Sequence, residues 1–220
     1  MEFSHEPDYG REFFDQYGVG NPAYRNACRA VGKELYRRFL PDRVIDWGCG
    51  AALHAGALAD CGAQVTAVDR CPADPDQREP GVRIVHADLR SIERPPGIPA
   101  TCDLSICIDV LEHIDECFAQ RALEHIVHGA GVVILSCAPK GQGGHQHVNE
   151  QPRRYWIAKM EKLGWFYDRG ATGALEDQLR TQRDEMPWSW MYHNLCVYRP
   201  TPSPGRRQRS RPVSTEPPCS

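Results

Sequence analysis

The 220-residue chain contains no stretch of about 18 uninterrupted apolar residues, so nothing in it predicts a membrane-spanning helix. Its start, MEFSHEPDYGREFF, lacks the basic and apolar regions of a secretory leader, and the expectation is a soluble, cytoplasmic protein. Ten cysteines are present, yet none forms a C-x-x-C pair, which argues against zinc-ribbon and thioredoxin-type sites. Cys49, Cys61, Cys102, Cys107 and Cys137 lie in or beside apolar segments and read as reduced core residues. No G-x-G-x-x-G follows any strand-like run, so a dinucleotide-binding glycine turn is not indicated.

Basic charge is also scarce over most of the chain. The formal net charge is −3; the tail 201–220 holds four arginines against one glutamate and contributes +3, leaving −6 for residues 1–200. An acidic body argues against a DNA-binding surface, which needs a basic face. The tail, rich in Pro, Ser and Arg, has too little apolar surface to offset its ordering entropy and reads as a disordered segment.

What the sequence does contain is alternation. Five strand-length apolar runs, RVIDWG (43–48), QVTAVD (64–69), VRIVHAD (82–88), CDLSICID (102–109) and GVVILSCA (131–138), are separated by helical segments. WFYD and NLCVYRP supply two further strand candidates. Strands alternating with helices predict an α/β fold with a mostly parallel sheet covered on both faces. Ligands of such sheets bind beyond the carboxyl ends of the strands, where four of these runs end near a carboxylate.

Between the first two strands, Leu53, Ala57, Leu58 and Cys61 share a helical face that Gly62 caps. NPAYRNACRAVGKELYRRFLPD predicts an amphipathic helix with Val31, Leu35 and Phe39 on one stripe and Pro41 at its end. Pro152 suits the start of a helix lined by Trp156, Met160 and Leu163. Residues 170–191 read as a surface excursion carrying Trp188 and Trp190.

VIDWGCGAA places a strand, two glycines and a helix in sequence, a backbone arrangement that lets a ligand approach closely. Asp46 precedes the glycines, and Leu53 stands where a dehydrogenase motif would carry its third glycine. With the later motifs AVDR, HADLR and CIDVLEHI, the run from about residue 42 to 139 resembles the class I S-adenosylmethionine-dependent methyltransferases, particularly their small-molecule and glycan-type members. The resemblance implies a Rossmann-like class I methyltransferase fold with a central seven-stranded, mostly parallel sheet. It also implies S-adenosyl-L-methionine as cofactor, held by Asp46, Trp47, Gly48, Cys49, Gly50, Asp69, Arg70, Asp88, Leu89, Asp109 and Val110. In that scheme Asp46 faces the methionine ammonium, Asp69 the ribose hydroxyls and Asp88 the adenine amino group, while Trp47 packs. Ala52 departs from the glycine common at its position.

GGHQHVNEQPRRYW follows the fifth strand and places His145 and His147 where a class I enzyme receives its acceptor. A neutral imidazole suits general-base work near pH 7, and His147, with His145 second, is the expected base for an oxygen acceptor. A competing reading gathers Asp109, Glu112, His113, His145 and His147 around a divalent metal, and a plainer one leaves the histidines as loop residues. The acceptor expected is a small molecule or a glycan. No N-P-P-[YF] sequence, which amino-methylating nucleic-acid enzymes use, follows the fourth strand. The expected organisation is an N-terminal helical lid or substrate segment (1–41), a methyltransferase domain (42–200) and a basic tail (201–220). Tyr9 and Tyr17 would then sit near the methionine. A nicotinamide-dependent oxidoreductase and a cofactor-binding, non-catalytic partner subunit are the alternatives.

Overall fold

A computed structural model describes residues 9–184 and 186–202; the basic tail beyond residue 202 and the first eight residues lie outside it. The elements run α1 (Arg11–Tyr17), α2 (Pro22–Phe39), β1 (Arg43–Trp47), α3 (Leu53–Asp60), β2 (Gln64–Asp69), β3 (Arg83–His86) and β4 (Cys102–Ile108). After a 3-10 turn (Leu111–His113) come α4 (Glu116–Val127), β5 (Ala130–Ser136), α5 (Arg153–Lys162), β6 (Trp165–Tyr167), α6 (Arg169–Arg180), α7 (Trp190–His193) and β7 (Cys196–Pro200).

The seven strands form one sheet in the order β3-β2-β1-β4-β5-β7-β6. The first five run parallel, and β7 enters antiparallel between β5 and β6. All seven strands fall on the strand candidates, and the central β1, β4 and β5 are buried over most of their length, as strands covered on both faces must be. Two large apolar clusters form: Leu35, Leu58, Ile106 and Val197 belong to one, and Ile45, Trp47, Leu123 and Tyr198 to the other.

Local chemistry places the ends of the helices. Asn21 caps α2 by accepting from the Tyr24 backbone N–H, with Pro22 at the first helical position. Gly62, at φ +106°, takes the left-handed turn that closes α3. Among the described residues no helix is long and apolar enough to cross a membrane.

One segment differs from expectation. Residues 170–191 hold α6 and α7 rather than a surface excursion. Thr172, Leu175 and Leu179 recur at helical spacing and are buried, and α6 packs against α2. The stripe is narrow and flanked by charged residues, so it is diluted in any average over the segment.

α2 is joined to the sheet's periphery through a buried carboxylate. Glu79, after β2, accepts from Arg25 Nε at 2.8 Å and from Arg29 Nη1 at 3.1 Å. A Cβ on Gly56 would fall 2.7 Å from the Glu79 side chain, so α3 needs glycine there for this carboxylate to lie flat against it.

Candidate active site

β1 borders β2 on one side and β4 on the other, so chain direction along the sheet reverses at β1 and opens a crevice at the strands' carboxyl ends. The loop leaving β1 forms its floor. Gly48 (φ +72°) and Gly50 (φ +50°) occupy left-handed conformations, and a Cβ on Gly48 would lie 2.4 Å from a Val110 methyl. Both glycine conformation and space are therefore required at Gly48. Ala52 is also left-handed, at φ +56°, so the alanine departure carries backbone strain of ~1 kcal/mol.

Carboxylates at the strand tips hold this floor. Asp69 Oδ2 accepts from Gly50 N at 2.7 Å and its Oδ1 from Cys71 N at 2.7 Å. Burial pushes the Asp69 carboxyl up, and these two bonds oppose the rise. Asp46 is buried beneath the loop, and one of its oxygens has no hydrogen-bond partner. Burial, reinforced by the Asp69 charge, pushes its carboxyl up to about 7. Asp88 is forked by Arg90, with Nη2 to Oδ2 at 2.6 Å; burial opposes ionisation, but the Arg90 bonds outweigh it and hold the carboxyl low.

Two cavities meet over this floor. The first is lined by Gly48, Gly50, Asp69, Arg70, Asp88, Leu89, Asp109 and Val110, eight of the eleven residues expected to hold the cofactor. Cys49 lines the second cavity instead, and Asp46 lines neither. Trp47, read as the packing member of the cofactor set, packs and lines neither cavity. Its side chain is 1% exposed, and its indole N–H donates to Ser105 Oγ at 3.0 Å within the core. The β-strand alternation turns residue 47 away from the crevice.

The residues present fit S-adenosylmethionine. Bare glycine backbone faces the cavity, a strand-tip carboxylate stands beside it, and Leu89 and Val110 offer apolar wall for a flat ring. Asp88, already forked by Arg90, is the member of the set least available to an adenine amino group.

The second cavity shares Phe13, Phe14, Gly48, Gly50, Asp109 and His113 with the first. Beyond that seam stand Tyr17, Tyr24, Trp190, Glu112, His145 and His147. Tyr9 belongs to the first cavity, its ring 5.7 Å from His113 and 6.0 Å from His145. Tyr192 is buried in the core, and Trp188 stacks edgewise on Tyr24.

The loop after β5 is clamped to the turn after β4. Val148 N and Asn149 N donate to the Glu112 carbonyl at 2.8 and 3.0 Å. Glu150, whose part the sequence did not reveal, accepts from Gly141 N and Gly143 N at 2.7 Å each and holds His147 Nδ1 at 2.9 Å. The His113 and His147 rings meet edge to face at 4.9 Å. Glu112 and Asp109 are both raised, to about 8 and about 6, in each case mainly by burial. Burial, with His147 beside it, lowers His113 to about 4.

Of the five residues in the expected metal cluster, Glu112, His113 and His147 each bring a ligand atom within 4.8 Å of the others. Asp109 is engaged by the Ser136 hydroxyl, and the His145 ring packs 5.2 Å from that of Phe13.

Residues 45–134 match a family model described as a methyltransferase domain. A ubiquinone biosynthesis O-methyltransferase from Pseudomonas aeruginosa is 29% identical over 122 residues, covering 53% of this chain and 48% of the relative. The chain spans about half the length of the curated relatives it matches. Among solved structures, magnesium protoporphyrin IX methyltransferase from Synechocystis PCC 6803 with bound SAM superimposes with a TM-score of 0.55 at 21% identity, covering 74% of this chain and 83% of that one. A didemethyltoxoflavin N-methyltransferase from Burkholderia thailandensis superimposes with a TM-score of 0.54 at 16% identity, covering 87% and 86%. These two likenesses establish the fold.

Proposed function

From a chain whose residues 45–134 form a class I S-adenosylmethionine-dependent methyltransferase domain, we propose that the protein methylates an oxygen of a small-molecule or sugar-like acceptor. The observation that carries the reading is the seam between the two cavities. It joins a glycine-floored crevice to an aromatic-walled chamber bearing histidines, across Gly48, Asp109 and His113. S-adenosylmethionine supplies an electrophilic methyl group on a sulfonium.

The chain's own work is to orient and to move a proton. Phe13, Tyr17, Tyr24 and Trp190 offer faces on which a flat or sugar-like acceptor stacks. The acceptor oxygen is then aligned with the methyl carbon, and alignment of this kind is the main source of rate in such a displacement. As the O–C bond forms and the S–C bond breaks, the hydroxyl proton passes to an imidazole of the 145–147 loop. Glu150 fixes the tautomer of His147 by its bond to Nδ1. An oxygen acceptor also agrees with the O-methyltransferase relatives.

The test is transfer of labelled methyl into fractionated extract of the source cell. Label in small-molecule or glycan fractions is the expected result. Label confined to nucleic acid overturns the acceptor class. Cofactor binding without any transfer favours the non-catalytic partner, and preferential binding of a nicotinamide dinucleotide over S-adenosylhomocysteine favours the oxidoreductase.

A further inference from the structure

We propose that Glu112, His113 and His147 form a binding site for a divalent transition-metal ion at the floor of the acceptor chamber. The role assigned to the ion rests on the methyl-transfer reading; its binding does not.

Consecutive strands bring the ligands together. Glu112 and His113 lie on the 3-10 turn after β4, and His147 lies on the loop after β5. Their ligand atoms fall within 4.8 Å of one another. The backbone bonds from Val148 and Asn149 to the Glu112 carbonyl fix the two loops against each other.

Hydrogen bonds account for only part of the polar capacity of Glu112 and His147. Glu112 Oε1 accepts from Ala138 N at 3.1 Å, whereas its Oε2 is buried without a partner in a residue only 1% exposed. His113 Nδ1 is likewise buried without a partner. His147 Nδ1 is taken by Glu150, which leaves Nε2 as its remaining ring nitrogen. Unpartnered buried polar atoms are rare in native structures, and two in adjacent residues facing a third imidazole need a common explanation. A bound cation gives one. It would also offset the burial of the Glu112 carboxylate, which no lysine or arginine pairs among the described residues.

The surroundings fit a ligand set. A carboxylate on the far nitrogen of a metal-bound histidine fixes its tautomer and raises its basicity, and Glu150 stands in that position to His147. Gly144 passes so close that a Cβ there would lie 2.3 Å from His147 Nε2, so this loop position leaves no room for a side chain.

Two imidazoles and one carboxylate select the class of ion. Magnesium and calcium favour all-oxygen shells, whereas manganese, iron, cobalt, nickel and zinc accept mixed nitrogen and oxygen ligands. Three protein ligands leave positions open, as catalytic sites do. Because all three residues line the chamber, an acceptor hydroxyl can occupy an open position. There the ion lowers the hydroxyl's pKa. The hydroxyl proton then passes to His145 as the O–C bond forms and the S–C bond breaks, and His147 serves as a ligand instead of a base.

The test is titration of chelator-stripped, full-length protein with Co²⁺, Mn²⁺, Zn²⁺ and Mg²⁺ by calorimetry, with the visible absorption of Co²⁺ as a second readout. One ion per chain is expected, with Co²⁺ or Zn²⁺ at least ~100-fold tighter than Mg²⁺. His147→Ala should weaken Co²⁺ binding at least tenfold and alter its spectrum while leaving S-adenosylhomocysteine affinity intact. Glu150→Gln, which leaves the three ligands in place, should weaken it by ~10-fold. Absence of stoichiometric binding, or equal binding by wild type and a His113→Ala/His147→Ala double variant, overturns the site. Methyl transfer that persists at full rate in stripped protein overturns the ion's role and leaves the methyl-transfer reading standing. Tight Co²⁺ binding without methyl transfer to any fraction retains the site and removes the reaction.

Discussion

Asp46 is the carboxylate whose burden on the fold should grow as pH rises. It is buried beneath the glycine loop, and its carboxyl is raised from 3.8 to about 7. The folded chain therefore holds this proton more tightly than the unfolded chain does. Its contribution to stability falls as pH rises from about 4 to about 7 and is level above that. The full loss corresponds to ~4 kcal/mol, of which somewhat more than half falls between pH 5 and pH 8. Asp46→Asn removes the titration and substitutes an amide, whose own unmet hydrogen bonds cost ~1–3 kcal/mol at every pH. Thermal melts of both proteins at pH 5 and pH 8 provide the assay. The wild type should lose ~5–10 °C more than the variant between the two pH values. In parallel, calorimetry should show the variant binding S-adenosylhomocysteine at least tenfold more weakly at pH 8. Melting temperatures that move in parallel with pH would refute the assignment of a raised carboxyl to Asp46.

Four further outcomes follow from the packing. Gly48→Ala should weaken S-adenosylhomocysteine binding more than tenfold in a calorimetric titration, because the new methyl meets Val110 in a left-handed backbone; a wild-type affinity would show that the loop yields. Ser105→Ala removes a hydroxyl that accepts from Trp47 Nε1 and donates to the Ile126 carbonyl at 2.7 Å. It should cost ~2–4 kcal/mol in chemical denaturation. Trp47→Phe should leave cofactor affinity unchanged, and a large loss would return Trp47 to the site. Glu79→Gln should cost ~1–3 kcal/mol by loosening α2 from its arginine-bound anchor, read by denaturation at low and high salt.

The strands were legible because burial on both faces leaves a continuous apolar signature, and the glycine turn because Gly48 and Gly50 take backbone conformations that other residues resist. Most of the first cavity's lining was legible for the same reason, since it is built from strand tips in chain order. Less legible was anything decided by direction rather than position. Glu150 reads as an ordinary surface carboxylate until the loop folds back and gives it two backbone N–H groups and an imidazole. α6 escaped notice because three buried positions suffice to seat it among charged neighbours. The approach of His113 to His147, anticipated in the candidate metal cluster, rests on the side-by-side pairing of β4 and β5.

Phe13 and Phe14 belong to both cavities, so neither chamber has a wall of its own at the seam. A molecule that displaces either ring from one side reshapes the room available on the other. Two ligands that each moved these rings would be energetically linked, and linkage is reciprocal: whatever the first contributed to the affinity of the second, the second would return to the first. An inhibitor ranked against the bare protein would then be ranked against the wrong receptor, and its affinity carries meaning only when the occupancy of the neighbouring chamber is stated.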